Sequence, residues 1–231
     1  MPLFISTRIR ATPSPKSDFL GLLFYRYKGD TSMTRADKVT AIRLFLAPIF
    51  FIVYFLPTWS LPPSIAKALF SFGTAWTVPV LWLLFIVSEL SDLIDGKVAR
   101  RFGEVGDFGK LFDPFADVLV RITYFLCFIL DGILPVLIFL PILYREFSIQ
   151  FIRVLMMAKG IAMGARMGGK VKSVTYMVAG VLALVAASIP RLNLGFQLFV
   201  FFKTGAAIVF CISMVFALLS LFDYIQFYRK S

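Results

Sequence analysis

The chain has 231 residues, of which 59% are hydrophobic, with a mean hydropathy of +0.86 and a formal net charge of +11. A water-soluble domain of this size cannot bury that much apolar surface, so the composition excludes that class and predicts an all-α integral membrane protein. The positive excess does not point to nucleic acid, because the lysines and arginines track the ends of apolar stretches, where anionic membrane lipids are the expected partner.

Residues 1–36 contain no apolar run of signal-peptide length with a small-residue cleavage site. Within them "DFLGLLFYRYKG", residues 18–29, mixes aromatic and basic side chains and suits either an amphipathic helix on the interface or a flexible tail. They are expected to form an N-terminal cytosolic or interfacial segment, with residues 37–231 as one membrane domain.

Six transmembrane helices are predicted in that domain, at about 40–60, 76–97, 114–131, 133–157, 174–190 and 205–226. The second is short of apolar residues because Glu89, Asp92 and Asp95 occupy its lower half, which suggests an end facing protein or water. Eight basic residues lie between Arg8 and Arg43, but only Lys67 lies between the first two spans. Lys97, Arg100, Arg101 and Lys110 separate spans two and three, whereas the turn at Asp131–Gly132 has none. Another group from Arg145 to Lys172 surrounds the fourth-to-fifth junction, and Arg229 and Lys230 end the chain. This alternation predicts both termini in the cytoplasm and a polar site on the cytosolic side of the bundle. Cys127 and Cys211 each fall inside a predicted span, where neither a disulfide nor a thiolate metal site is expected.

Asp92, Asp95, Asp113 and Asp117 crowd residues 92–117, in a chain with thirteen acidic residues. Asp92 and Asp95 are spaced i, i+3, and Asp113 and Asp117 i, i+4, so each pair shares one helix face. The axial offset within a pair is only about 4.5–6 Å. On adjacent antiparallel helices the two pairs can face one another, and four carboxylates so placed would repel strongly unless cations neutralised them. Carboxylate ligation in a chain with no histidine favours Mg²⁺ or Mn²⁺, and two ions would satisfy the four groups. The joining loop carries Gly96, Gly103, Gly106 and Gly109 for close backbone approach, and Arg100 and Arg101 as forks suited to phosphate. The sum describes a metal–pyrophosphate site. An EF-hand is excluded because its alternating acids and closing glutamate are missing. A divalent-cation transporter using the same acids is the reading from another class, although Arg100 between the pairs would repel a passing cation.

The pattern Asp92-x₂-Asp95-Gly96-x₂-Ala99-Arg100-x₈-Gly109-x₃-Asp113-x₃-Asp117 resembles the full signature of the CDP-alcohol phosphatidyltransferase family, and the six-helix layout after residue 36 is similar too. The resemblance implies an integral membrane enzyme that moves a phosphatidyl group from CDP-diacylglycerol to an alcohol and releases CMP. It implies Asp92, Asp95, Asp113 and Asp117 as metal ligands, with Asp117 also the catalytic base, and it implies a homodimer. Gly96, Ala99, Arg100 and Gly109 would surround the cytidine diphosphate. Because no histidine is available, a carboxylate such as Asp117 is the first candidate to take the acceptor's proton. An aspartate attacking phosphorus covalently is the rival route.

For the acceptor, Arg145 in "LYREFSIQFIRV" and Lys170 and Lys172 in "GGKVKSVTYM" supply cations suited to a phosphorylated alcohol, although each taken alone also satisfies the positive-inside rule. "TAIRLFLAPIFF" (40–51), the Arg145–Glu146 pair and "GKVKSVTYM" are similar to segments of the members of that family that use glycerol 3-phosphate. Inositol phosphate is the alternative acceptor. One departure is "MTRADKVT" (33–40), where those members usually have an asparagine- and proline-containing start, so their nucleotide contacts from the first helix are not carried over.

Overall fold

A computed structural model of the chain describes residues 35–59, 62–70, 73–102, 107–161 and 167–230; side chains at 35–39, 67–70, 92–102, 107–111, 158 and 167–170 are not among those described. Helix α1 runs Arg35–Phe55 and ends in a single 3₁₀ turn, Leu56–Thr58. A short helix that the apolar pattern does not predict, α2, runs Pro63–Phe70, opening on a proline where the missing N–H has no helical partner to lose. Then come α3 (Thr77–Phe102), α4 (Asp107–Leu130), α5 (Val136–Ala158), α6 (Met167–Arg191) and α7 (Phe196–Lys230). No strand occurs among the described residues.

Each of the six predicted stretches overlaps a long helix. Three segments among the described residues are long and apolar enough to cross a membrane: Thr40–Thr58, Val171–Arg191 and Phe196–Lys230. The described side chains of α3 form a shorter apolar stretch, Thr77–Ser91. Large side chains such as Phe45, Leu137, Phe201 and Phe222 stand on the outside of the bundle, each more than 60% exposed, as expected for surfaces solvated by lipid. The chain is a membrane protein.

Pairings between helices fix their directions. Thr40 meets Asp113, Arg43 meets Asp117 and Tyr54 meets Asp131, so α1 and α4 run parallel. Gln150 reaches back to the Pro114 carbonyl, making α5 antiparallel to α4. Trp82 meets Ser188 while Phe85 touches Gly180, so α3 and α6 oppose each other. Arg145 meets Ala217 and Lys159 lies over the Tyr228 ring, so α5 and α7 are parallel. Successive long helices therefore alternate in direction. The N-terminal ends of α1, α4 and α6 share one end of the bundle with the C-terminal ends of α3, α5 and α7.

Small residues make the tightest seam. Ala179, Ala183 and Ala187 on α6 repeat every fourth residue, and Ala206, Ser213, Ala217 and Ser220 line the buried stripe of α7. Between helices already surrounded by lipid, close backbone approach and dispersion do the work that the hydrophobic effect does in water. Gly180 belongs to the same logic, since a β-carbon there would come within 3.2 Å of the Phe85 ring. Aromatic contacts complete the core. Tyr124 packs on Phe50 and Phe85, joining α4 to α1 and α3, while Phe125 meets Tyr176 and Phe210 edge-on. The α4–α5 turn needs Gly132, whose φ of 67° is a left-handed conformation that lets Ile133 N–H close onto the Phe128 carbonyl.

Candidate functional site

The N-terminal half of α4 carries Asp113, Asp117 and Arg121 at successive i, i+4 steps, so the three share one face. That face meets α1, where Thr40 and Arg43 stand one turn apart. The Thr40 hydroxyl donates to Asp113 Oδ1 at 2.7 Å, and the Arg43 guanidinium pairs with Asp117. Thr40 and Arg43 are almost fully buried, at 0% and 3% exposure. An arginine this deep in an apolar helix is stable only against an acid, and Asp117 supplies it. From α3, Ser88 and Glu89 join Arg43, Asp117, Val120 and Arg121 around a narrow pocket of ≈ 10 Å³, room for about one water. Asp92, Asp95, Gly96, Ala99 and Arg100 follow on α3, and Gly109 lies in the first turn of α4; their side-chain placement is outside the described residues.

The donor chemistry of the described pair fits a hard divalent cation. Two carboxylates one turn apart, with a hydroxyl beside them, form an all-oxygen set. Among the described residues no group of three or more metal-ligating side chains converges, and the remaining two expected ligands, Asp92 and Asp95, fall outside them.

A second polar cluster lies at the same end of the bundle. Arg145 on α5 sends Nη1 to both oxygens of its neighbour Glu146 at 3.0 Å, Nη2 to Ser220 Oγ at 2.7 Å and Nε to the Ala217 carbonyl at 3.3 Å. Lys172 on α6 donates to Glu146 Oε1 at 2.7 Å, and the Tyr176 hydroxyl donates to the same oxygen at 3.2 Å. Arg145, Glu146, Lys172 and Tyr176 are all buried. Two of the three cations expected to serve the acceptor are thus brought together by α5 and α6; Lys170 lies outside the described side chains. Arg121 is within electrostatic range of Glu146, Lys172 and Tyr176 and also lines the pocket beside Asp117, so it stands between the two clusters.

The polar residues of these clusters that are not among the predicted site residues include Thr40, Arg43, Glu89, Arg121 and Glu146. Their signal lies in helical spacing. Thr40 and Arg43 share a face of an apolar helix, and Arg121 falls one turn beyond Asp117.

Residues 33–219 match the CDP-alcohol phosphatidyltransferase family. The chain is 34% identical, over 84% of its own length and 88% of the relative's, to the CDP-diacylglycerol–glycerol-3-phosphate 3-phosphatidyltransferase of Treponema pallidum (strain Nichols). It is 30% identical to the protein of the same name from Bacillus subtilis (strain 168), over 67% of this chain and 77% of that one. A cardiolipin synthase (CMP-forming) of Streptomyces coelicolor (strain ATCC BAA-471 / A3(2) / M145) is 31% identical over 52% of this chain and 50% of its own length.

Proposed function

The chain belongs to the CDP-alcohol phosphatidyltransferase family, and from that membership we propose that it transfers the phosphatidyl group of CDP-diacylglycerol to glycerol 3-phosphate and releases CMP. It is a membrane enzyme of phospholipid synthesis. The observation that carries the reading is the acidic face of α4, with Asp113 and Asp117 one turn apart and held by Thr40 and Arg43, inside the complete family signature.

The reaction is a displacement at phosphorus. The acceptor hydroxyl oxygen bonds to the phosphorus that carries diacylglycerol, the bond from that phosphorus to the oxygen of CMP breaks, and CMP leaves with the electron pair. Asp117 takes the acceptor's proton, and Arg43 fixes the orientation of its carboxylate. Asp92, Asp95, Asp113 and Asp117 would hold two Mg²⁺ or Mn²⁺ ions, which when bound neutralise the charge of the diphosphate. Gly96, Ala99, Arg100 and Gly109 surround the cytidine diphosphate. Arg145, Lys170 and Lys172 receive the phosphate of the acceptor, which favours glycerol 3-phosphate over an uncharged alcohol. A single displacement inverts configuration at phosphorus, whereas a covalent aspartyl route would retain it.

The alternation of helix direction together with the basic-residue asymmetry supports six spans with both termini in the cytoplasm. The site then faces the cytosol, where CDP-linked lipid headgroups and glycerol 3-phosphate meet. A homodimer completes the reading. The test is CMP release by purified protein from CDP-diacylglycerol with a panel of acceptors: glycerol 3-phosphate, inositol phosphate, inositol and serine. Glycerol 3-phosphate should support turnover best, yielding phosphatidylglycerophosphate. Equal turnover with inositol would overturn the assignment of the acceptor.

A further inference from the structure

Glu146 has no part in the chemistry above, yet it is only 6% exposed and accepts hydrogen bonds from three side chains. We infer that Glu146 is a specificity-determining residue, a resident counter-anion that fills the place of the acceptor's phosphate between Arg145 and Lys172 until the phosphate displaces it. The inference rests on Arg145 and Lys172 being the groups that bind that phosphate.

Both cations are held in place without Glu146. Arg145 is anchored to α7 through the Ala217 carbonyl and Ser220 hydroxyl, so only its Nη1 is committed to the carboxylate. Lys172 lies over the Tyr176 ring, 4.8 Å from its centroid. Two cations buried side by side would repel and lose hydration, and an internal carboxylate offsets that cost while no acceptor is bound.

Charge then sets the terms of exchange. Arg145, Lys172 and Glu146 sum to +1. A phosphate monoester carries about −1.5 to −2 at neutral pH, enough to balance it. Its oxygens can take over the Arg145 Nη1 and Lys172 Nζ donors, leaving Glu146 with the Tyr176 hydroxyl. An uncharged alcohol brings nothing with which to compete against the carboxylate. Glu146 therefore makes the pocket demand a dianion.

The experiment measures KM for glycerol 3-phosphate and the inhibition constant of inorganic phosphate on the purified full chain. With Glu146→Gln both constants should fall about 3- to 10-fold, because the competing charge is gone while the side-chain shape is kept. Glu146→Asp should restore both toward the parent values. Tyr176→Phe, which removes the one partner left to Glu146 once the phosphate is seated and does not change charge, should raise KM about twofold and provides a second test should Glu146→Gln fail to fold. Unchanged or raised constants in a folded Glu146→Gln protein would overturn the inference, as would an unchanged or lowered KM in Tyr176→Phe if only that variant folds. Arg145→Ala separates the two levels. If it raises the glycerol 3-phosphate KM while Glu146→Gln does not lower it, only the exchange fails; if it leaves that KM unchanged, the acceptor site fails with it.

Discussion

The α1–α4 pair is tied at both ends by aspartate, arginine and a hydroxyl, and the two ties have different fates. At one end Tyr54 donates to Asp131 Oδ2 at 2.6 Å, while Arg191 from α6 stacks on the Tyr54 ring, bonds the Tyr54 carbonyl and lies 3.9 Å from Asp131. One negative and one positive charge cancel within that knot. At the other end Thr40, Arg43, Asp113 and Asp117 sum to −1, and the adjoining Arg145, Glu146 and Lys172 sum to +1. The same side-chain types thus make a fastener where their charges close and the proposed binding site where they do not. An excess of negative charge invites a cation, and an excess of positive charge invites an anion.

Perturbing the unbalanced end should have the largest effects. Removing divalent ions with a chelator should abolish CMP release, and Mg²⁺ or Mn²⁺ should restore it; activity that survives exhaustive chelation would remove the metal from the scheme. Asp117→Asn should lower kcat by about 10²- to 10⁴-fold, the range typical of losing a general base, with CDP-diacylglycerol still bound. A loss smaller than tenfold would move the proton to another group. Arg145→Ala comes next. It deletes one charge-assisted contact, so KM for glycerol 3-phosphate should rise by about 10- to 100-fold with little change in KM for the CDP-lipid. A rise confined to the CDP-lipid would mean that the cation serves the donor instead.

Much of this contrast is legible in the amino-acid sequence. The aspartate spacing, the lack of histidine and the alternating basic segments point to a membrane enzyme with an acidic site, and the six long helices fall where apolar runs predict them. What spacing does not convey is partnership across the bundle. Arg43 sits in an apolar stretch and Asp117 lies far along the chain, so their pairing depends on α1 and α4 being parallel. Local sequence carries no statement about that. Glu146 is hidden for a related reason. Next to Arg145 it reads as a neighbouring opposite charge, and its meaning emerges only when α6 brings Lys172 and Tyr176 onto the same oxygen. Helix α2 leaves no mark of its own because eight residues are too few to show a membrane-length pattern.

The balanced end offers the smallest and most discriminating test. Tyr54→Phe keeps the ring that Arg191 stacks on and removes only the hydroxyl, leaving Asp131 with its arginine. Loss of one hydrogen bond of this kind costs about 0.5–1.5 kcal/mol. In a chain of this size that lowers the unfolding midpoint by a few degrees, about 2–4 °C per kcal/mol, readable by a thermal scan in detergent. Catalysis should stay within about twofold of the parent, because the knot holds helices together and touches neither phosphate nor nucleotide. A large fall in kcat with an unchanged midpoint would mean that the far end of the bundle communicates with the site, and the division between a closed fastener and an open site would fail. A lowered midpoint with intact turnover is what a charge-neutral tie requires.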